Sequence, residues 1–171
     1  SYSGVSPPDP VGDVGPDNFV QAINDGGGST VVVYKKADGG IAAGPFTMES
    51  LAAAAPGYSG PCETQGNGDP IVLYDDYADR WFLQEFTYPS SNHLCVYISQ
   101  TSDPTAGGWN LYDITMPAGP DYPHFGIWPD AYIGTVNDGS QRVIALDRAN
   151  MLTGSVARAM QAVTMPDLNG Y

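Results

Sequence analysis

The chain has 171 residues, with 19 acidic against 6 basic side chains and a formal net charge of −13 at pH 7. So few cations argue against nucleic acid, whose phosphates they would have to neutralise, and the acidic sign argues against an anionic membrane surface. Twenty-one glycines and 15 prolines, beside 42 % hydrophobic residues, describe a turn-rich all-β protein with a core, and no apolar run reaches the ~18 residues that span a bilayer.

Residues 1–18 hold Pro7, Pro8, Pro10 and Pro16, with Asp9, Asp13 and Asp17 between them. Proline fixes φ and removes a donor, so this reads as an extended N-terminal arm ahead of a sheet-forming part over 19–171. Ser1-Tyr2-Ser3-Gly4 has the look of a trimmed start, as in an exported protein. Asn18 to Asn24 reads as a short strand with Phe19, Gln21 and Ile23 on one face, and Asp25 to Ser29 as a flexible turn. Thr30 to Lys36 is β-branched and strand-like, and Asp38-Gly39-Gly40 is a hairpin turn leading to Ile41. Thr47 to Ala55 is the best helix: Thr47 caps it, Glu49 suits the dipole, and Pro56-Gly57 stops it. A loop over 56–68 carries Cys62.

The central stretch reads most clearly. Asp69 and Pro70 open a strand over Ile71 to Tyr74, Asp75 to Asp79 supply a turn, and Arg80 to Phe86 return. His93 to Gln100 and Trp109 to Ile114 complete a four-stranded antiparallel meander, the size of one propeller blade. Residues 116–127 read as loop. Trp128 to Asn137 opens a third unit, Asp138-Gly139 turns into Arg142 to Leu146, and Asp147 to Leu152 reads as a helical turn closed by Gly154. Val156 to Met165 is a last strand or an irregular tail.

Three segments share a Gly or Pro before an aspartate that opens a strand, at Asp17, Asp69 and Asp130. At roughly 55 residues per unit the chain makes about three blades of an incomplete ring, whereas closed propellers take about 4–8. Further sequence or another chain is therefore expected as a partner. Aspartates at equivalent blade starts would converge on the axis, where they hold a cation, act as acid and base, or merely cap turns. The oxygen-rich set Asp13, Asp17, Asp69 and Asp130 points to calcium as a cofactor.

The combination of Pro8 to Pro16, Gly68 to Asp75 with Asp79-Arg80-Trp81, Ser99 to Thr105, and Asp121-Tyr122-Pro123 with Trp128 to Tyr132 resembles a group of secreted bacterial β-propeller proteins of unassigned activity. The resemblance implies the fold, a secreted or extracellular location and compatibility with bound calcium. A second likeness is to five-bladed glycosidases, in which an Asp-Pro supplies the base and a Trp-Ala-Pro-Asp-like strand lies in a later blade. Asp9-Pro10 and Trp128-Pro129-Asp130 look like these, without the alanine. On this likeness Asp9, Asp69 and Asp130 are the catalytic candidates. The general acid would have to be Glu49, Glu63 or Glu85, none of which is placed for it.

Cys62 and Cys95 read as a disulfide of an exported protein, with two buried thiols as the alternative; two thiols alone do not make a zinc site. His124, in Asp121-Tyr122-Pro123-His124, and Trp128 are candidate ligand contacts, whereas Trp81 is expected to pack and Arg80 to pair with Asp79. No nucleophile elbow, EF-hand or phosphate loop is present. Two functions remain. One is a non-catalytic, calcium-stabilised propeller segment in adhesion, extracellular assembly or carbohydrate binding; the other is a glycoside hydrolase acting on a polysaccharide through channel-mouth carboxylates.

Overall fold

A computed structural model describes residues 4–164. It contains three four-stranded antiparallel sheets, each a meander in chain order. The first holds β1 (Val11–Val14), β2 (Asn18–Asp25), β3 (Gly28–Lys35) and β4 (Ile41–Thr47). The second holds β5 (Ile71–Asp75), β6 (Arg80–Thr87), β7 (His93–Ser99) and β8 (Trp109–Thr115). The third holds β9 (Asp121–Trp128), β10 (Ala131–Asn137), β11 (Gln141–Leu146) and β12 (Gln161–Thr164).

Local chemistry explains the turns. Asp25 pairs with Gly28 across a two-residue loop, Gly26-Gly27, and the Asp25 carboxylate accepts from the Gly27 amide at 2.9 Å. Asp75 pairs with Arg80 across a four-residue turn that ends in Asp79 at φ 54°, a left-handed position that aspartate tolerates.

The second sheet lies between the other two, so its strands are apolar on both faces. Val72, Tyr74, Trp81, Leu83, Cys95 and Tyr97 pack towards the first sheet, against Val20, Ala22, Val31 and Val33. On the opposite face Phe82, Val96 and Ile98 pack against Tyr132, Leu146 and Met151. This is why β6 and β7 read as near-continuous hydrophobic runs instead of an alternation.

Short helices close the ends. In α1 (Met48–Ala53) the Thr47 hydroxyl caps the Ser50 amide, and Met48 and Ala52 enter the first core. The four-residue α2 (Pro61–Thr64) brings Cys62 to Cys95 on β7, forming a disulfide. On α3 (Arg148–Leu152), Arg148 reaches Asp75 with two nitrogens, at 2.7 and 2.8 Å, and the Pro129 carbonyl with a third at 2.7 Å.

Several boundaries differ from the sequence expectation. The proline-rich arm contributes β1, which pairs with β2, and the stretch expected as loop over 116–127 contains most of β9. The third sheet therefore begins at Asp121, and Asp130 lies in the turn between its first two strands. Asp17 lies likewise in the β1–β2 turn, so of the three expected starts only Asp69 precedes the first strand of a sheet. The tail forms a strand at Gln161–Thr164; residues 1–3 and Met165 to Tyr171 lie outside the described residues. Arg80 does not pair with the Asp79 carboxylate. It donates to the carbonyls of Ala78 and Asp79, while the Asp79 carboxylate accepts from Tyr74.

Candidate functional site

The first strands of the three sheets stand side by side, β5 packing against both β1 and β9. Each has a proline at its start: Pro10 and Pro70 immediately precede β1 and β5, and Pro123 is the third residue of β9. The residue before that proline is left-handed in every case: Asp9 at φ 38°, Asp69 at 47° and Tyr122 at 50°. Such a conformation costs a non-glycine residue of order 1–3 kcal/mol, and three recurrences at equivalent positions mark a constrained site. This is the structural repeat. Its members are Asp9, Asp69 and Tyr122, with Asp121 beside the last, not Asp17, Asp69 and Asp130.

A chain of hydrogen bonds ties the three starts together. Asn24, buried on β2, donates to Asp9 Oδ2 at 2.9 Å and to the Pro7 carbonyl at 3.1 Å. Its own Oδ1 accepts from the Asp69 amide at 2.8 Å, and Asp69 Oδ2 accepts from the Tyr122 amide at 3.1 Å. Burial raises the Asp69 carboxyl above its ordinary range, and the charges of Asp9 and Asp121 push the same way. The Tyr122 amide and Asn24 oppose them. The result is an acidic end where carboxylates from all three sheets meet. The rings of Tyr122 and His124 lie edge to face there, 4.5 Å apart.

The structure divides the other predicted site residues. Asp13 Oδ2 accepts the Tyr74 amide at 2.7 Å and Oδ1 the Val14 amide at 2.8 Å, so this carboxylate joins β1 to β5. Asp17 and Asp130 are exposed in turns at the opposite end of the first strands from Asp69. Asp13, Asp17, Asp69 and Asp130 are thus not one ligand set. Among the described residues no three His, Cys, Asp or Glu side chains form a ready group for a metal ion. Trp128 is 64 % exposed and shares β9 with His124, but four residues along a strand separate the two by about 13 Å. His124 belongs with Asp69, Trp128 with Asp130. Trp81 is fully buried, as a packing residue should be.

Sequence reasoning missed a second polar cluster. His93 on β7 contacts the Asp113 carboxylate on β8, and the other Asp113 oxygen accepts from Tyr58 at 2.7 Å. Burial and then Asp113 push the Tyr58 hydroxyl well above its usual range. The cluster borders a cavity of about 1010 Å³ along β8, lined by Tyr58, Trp109, Leu111, Asp113, Met151 and Arg158 among others. Nothing local announces it, because its residues come from a loop, two strands, a helix and the C-terminal segment. No protein-family model matches the chain, and neither a curated protein nor a solved structure matches it.

Proposed function

We propose that the chain is a segment of an exported β-propeller that binds its ligand without cleaving it. Calcium stabilises it, and it works in adhesion, extracellular assembly or carbohydrate binding. The observation that carries this reading is the tie from Asp9 through Asn24 and Asp69 to Tyr122, repeated in backbone conformation at the start of each sheet. Successive meanders with aligned first strands are what blades around one axis require. The acidic end then becomes the mouth of the axis. Its carboxylates accept from sugar hydroxyls, and the rings of Tyr122 and His124 offer faces for stacking. Exposed Trp128 and Ile133 on the third sheet suit contact with a further blade, from more of the same chain or from a partner. The disulfide fits an oxidising compartment.

Glycoside cleavage is the weaker reading, since it needs a second carboxyl acting as acid across the bond. Glu49 and Glu63 lie on α1 and α2, and Glu85 is buried in β6, so none of the chain's three glutamates stands beside Asp69.

The test is retardation of the protein by a panel of soluble polysaccharides at pH 7, with release of reducing ends followed in parallel. Asp69→Asn keeps the side chain's shape and tolerates the left-handed backbone. It is expected to weaken retardation about tenfold, the worth of one charge-assisted hydrogen bond. Release of reducing ends would establish the hydrolase instead. Retardation equal in wild type and variant would remove the acidic end as the binding site. Melting with EDTA and calcium add-back tests the calcium clause.

A further inference from the structure

Glu85 stands on β6 facing the first sheet, with no solvent exposure, and neither of its carboxyl oxygens has a hydrogen-bond partner. The hydroxyls of Ser29 and Tyr97, both fully buried, are likewise unpartnered. Tyr97 sits diagonally across from Glu85 on β7, since Glu85 pairs with Cys95. Ser29 lies beside the carboxyl from β3, near enough for its hydroxyl and amide to favour the charged form, though its hydroxyl falls outside hydrogen-bond geometry.

Two glycines frame the group. A methyl at Gly66 would lie 3.0 and 3.1 Å from the two Glu85 oxygens and 3.2 Å from Glu49 Cγ, and one at Gly28 would lie 2.9 Å from Glu85 Oε2. Glycine at both positions lets the two backbones approach the Glu85 carboxyl this closely. Glu49, half-buried on α1, reaches it from the surface side, its Oε1 accepting from the Gly66 amide at 2.9 Å. Burial raises the Glu85 carboxyl well above its ordinary value; Ser29 opposes the rise, and Glu49 and Asp25 add to it.

We propose that Glu85 and Glu49 hold one hard divalent cation of the calcium class, with the Ser29 and Tyr97 hydroxyls and nearby backbone carbonyls as neutral donors. The donors are all oxygen, which suits a hard cation and neither a thiophilic nor an imidazole-seeking one. Magnesium keeps several of its waters, whereas a fully buried carboxyl favours the ion that sheds them more readily. The cation supplies the partner that two buried oxygens lack, and half-exposed Glu49 and Gly66 give it an entry route. This rests on the calcium clause of the proposed function and gives that clause its residues.

The experiment is a calcium titration of the EDTA-treated chain at pH 7, read by melting temperature and, with terbium in place of calcium, by luminescence sensitised through Tyr97 and Trp81. The melting temperature is expected to rise with calcium. Glu85→Gln and Glu49→Gln should weaken calcium at least about tenfold, since each removes a charged ligand, and should abolish the sensitised emission. Asp69→Asn should retain both signals. If Glu85→Gln does not fold, Glu49→Gln, altered at a half-exposed position, decides alone. A calcium response as strong in Glu49→Gln as in wild type overturns the assignment while leaving the calcium reading intact. No response in wild type overturns both, and the polysaccharide test remains independent of either.

Discussion

Arg148→Ala is expected to cost about 3–5 kcal/mol, the usual penalty for stranding one member of a buried ion pair. For a chain of this length that is roughly a 10 °C fall in melting temperature. The Asp75 side chain has no solvent exposure and Arg148 only 8 %. Asp75 closes the β5–β6 turn by accepting the Tyr77 amide at 3.1 Å, and its Oδ2 also accepts from Tyr132 at 3.0 Å. The guanidinium faces the rings of Tyr77 and Tyr132, at 5.7 and 5.9 Å from their centroids. Asp75 holds the arginine above its ordinary pKa, while burial and Asp75 push the Tyr132 hydroxyl well up. Truncation would leave a carboxylate in the second sheet with the Tyr132 hydroxyl as its remaining side-chain partner. Thermal melts at pH 7 check this. A fall of only a degree or two would mean that the pair does not hold the second and third sheets together.

Removing the disulfide is expected to cost about 3–4 kcal/mol, from the loop-closure entropy set by the sequence separation of 33 between Cys62 and Cys95. Much of that segment is independently held by β5 and β6, so the loss should fall on α2 and the loop around it. A four-residue helix has no cooperative stability of its own. The measurement is a melt of Cys62→Ala/Cys95→Ala beside wild type. An unchanged melting temperature would show that the packing of α1 and α2 suffices without the bond.

What the sequence disclosed followed hydrophobic period and turn chemistry. The strands β2, β3, β5 to β8, β10 and β11 stood out because β-branched and aromatic runs end at Gly, Asp or Asn turns. The helix over Met48–Ala53 stood out through Thr47 and Pro56-Gly57. The strands β1 and β9 did not. One has four residues in a proline-rich stretch, and the other carries Pro123 and alternates exposed Tyr122, His124 and Trp128 with inward Pro123, Phe125 and Ile127. Proline is tolerated at a strand's start, and that exception hid both. The idea that aspartates from several units converge needed the correct register: in the third unit tyrosine occupies the left-handed position and Asp121 precedes it. Asp75 and Arg148, 73 residues apart, had no local signature, and Glu85 read simply as part of a strand.

The double coverage of the second sheet also bears on how the fold opens. Amides of β6 and β7 sit beneath packed side chains on both faces, whereas β12 is exposed along its length and β4 is half-open. Hydrogen exchange should therefore be graded along the stack: slowest in Phe82 to Phe86 and Leu94 to Ile98, released by global unfolding, and fastest in β12. Fraying would then run inward from the flanking meanders, with the central one as the last structure to be lost.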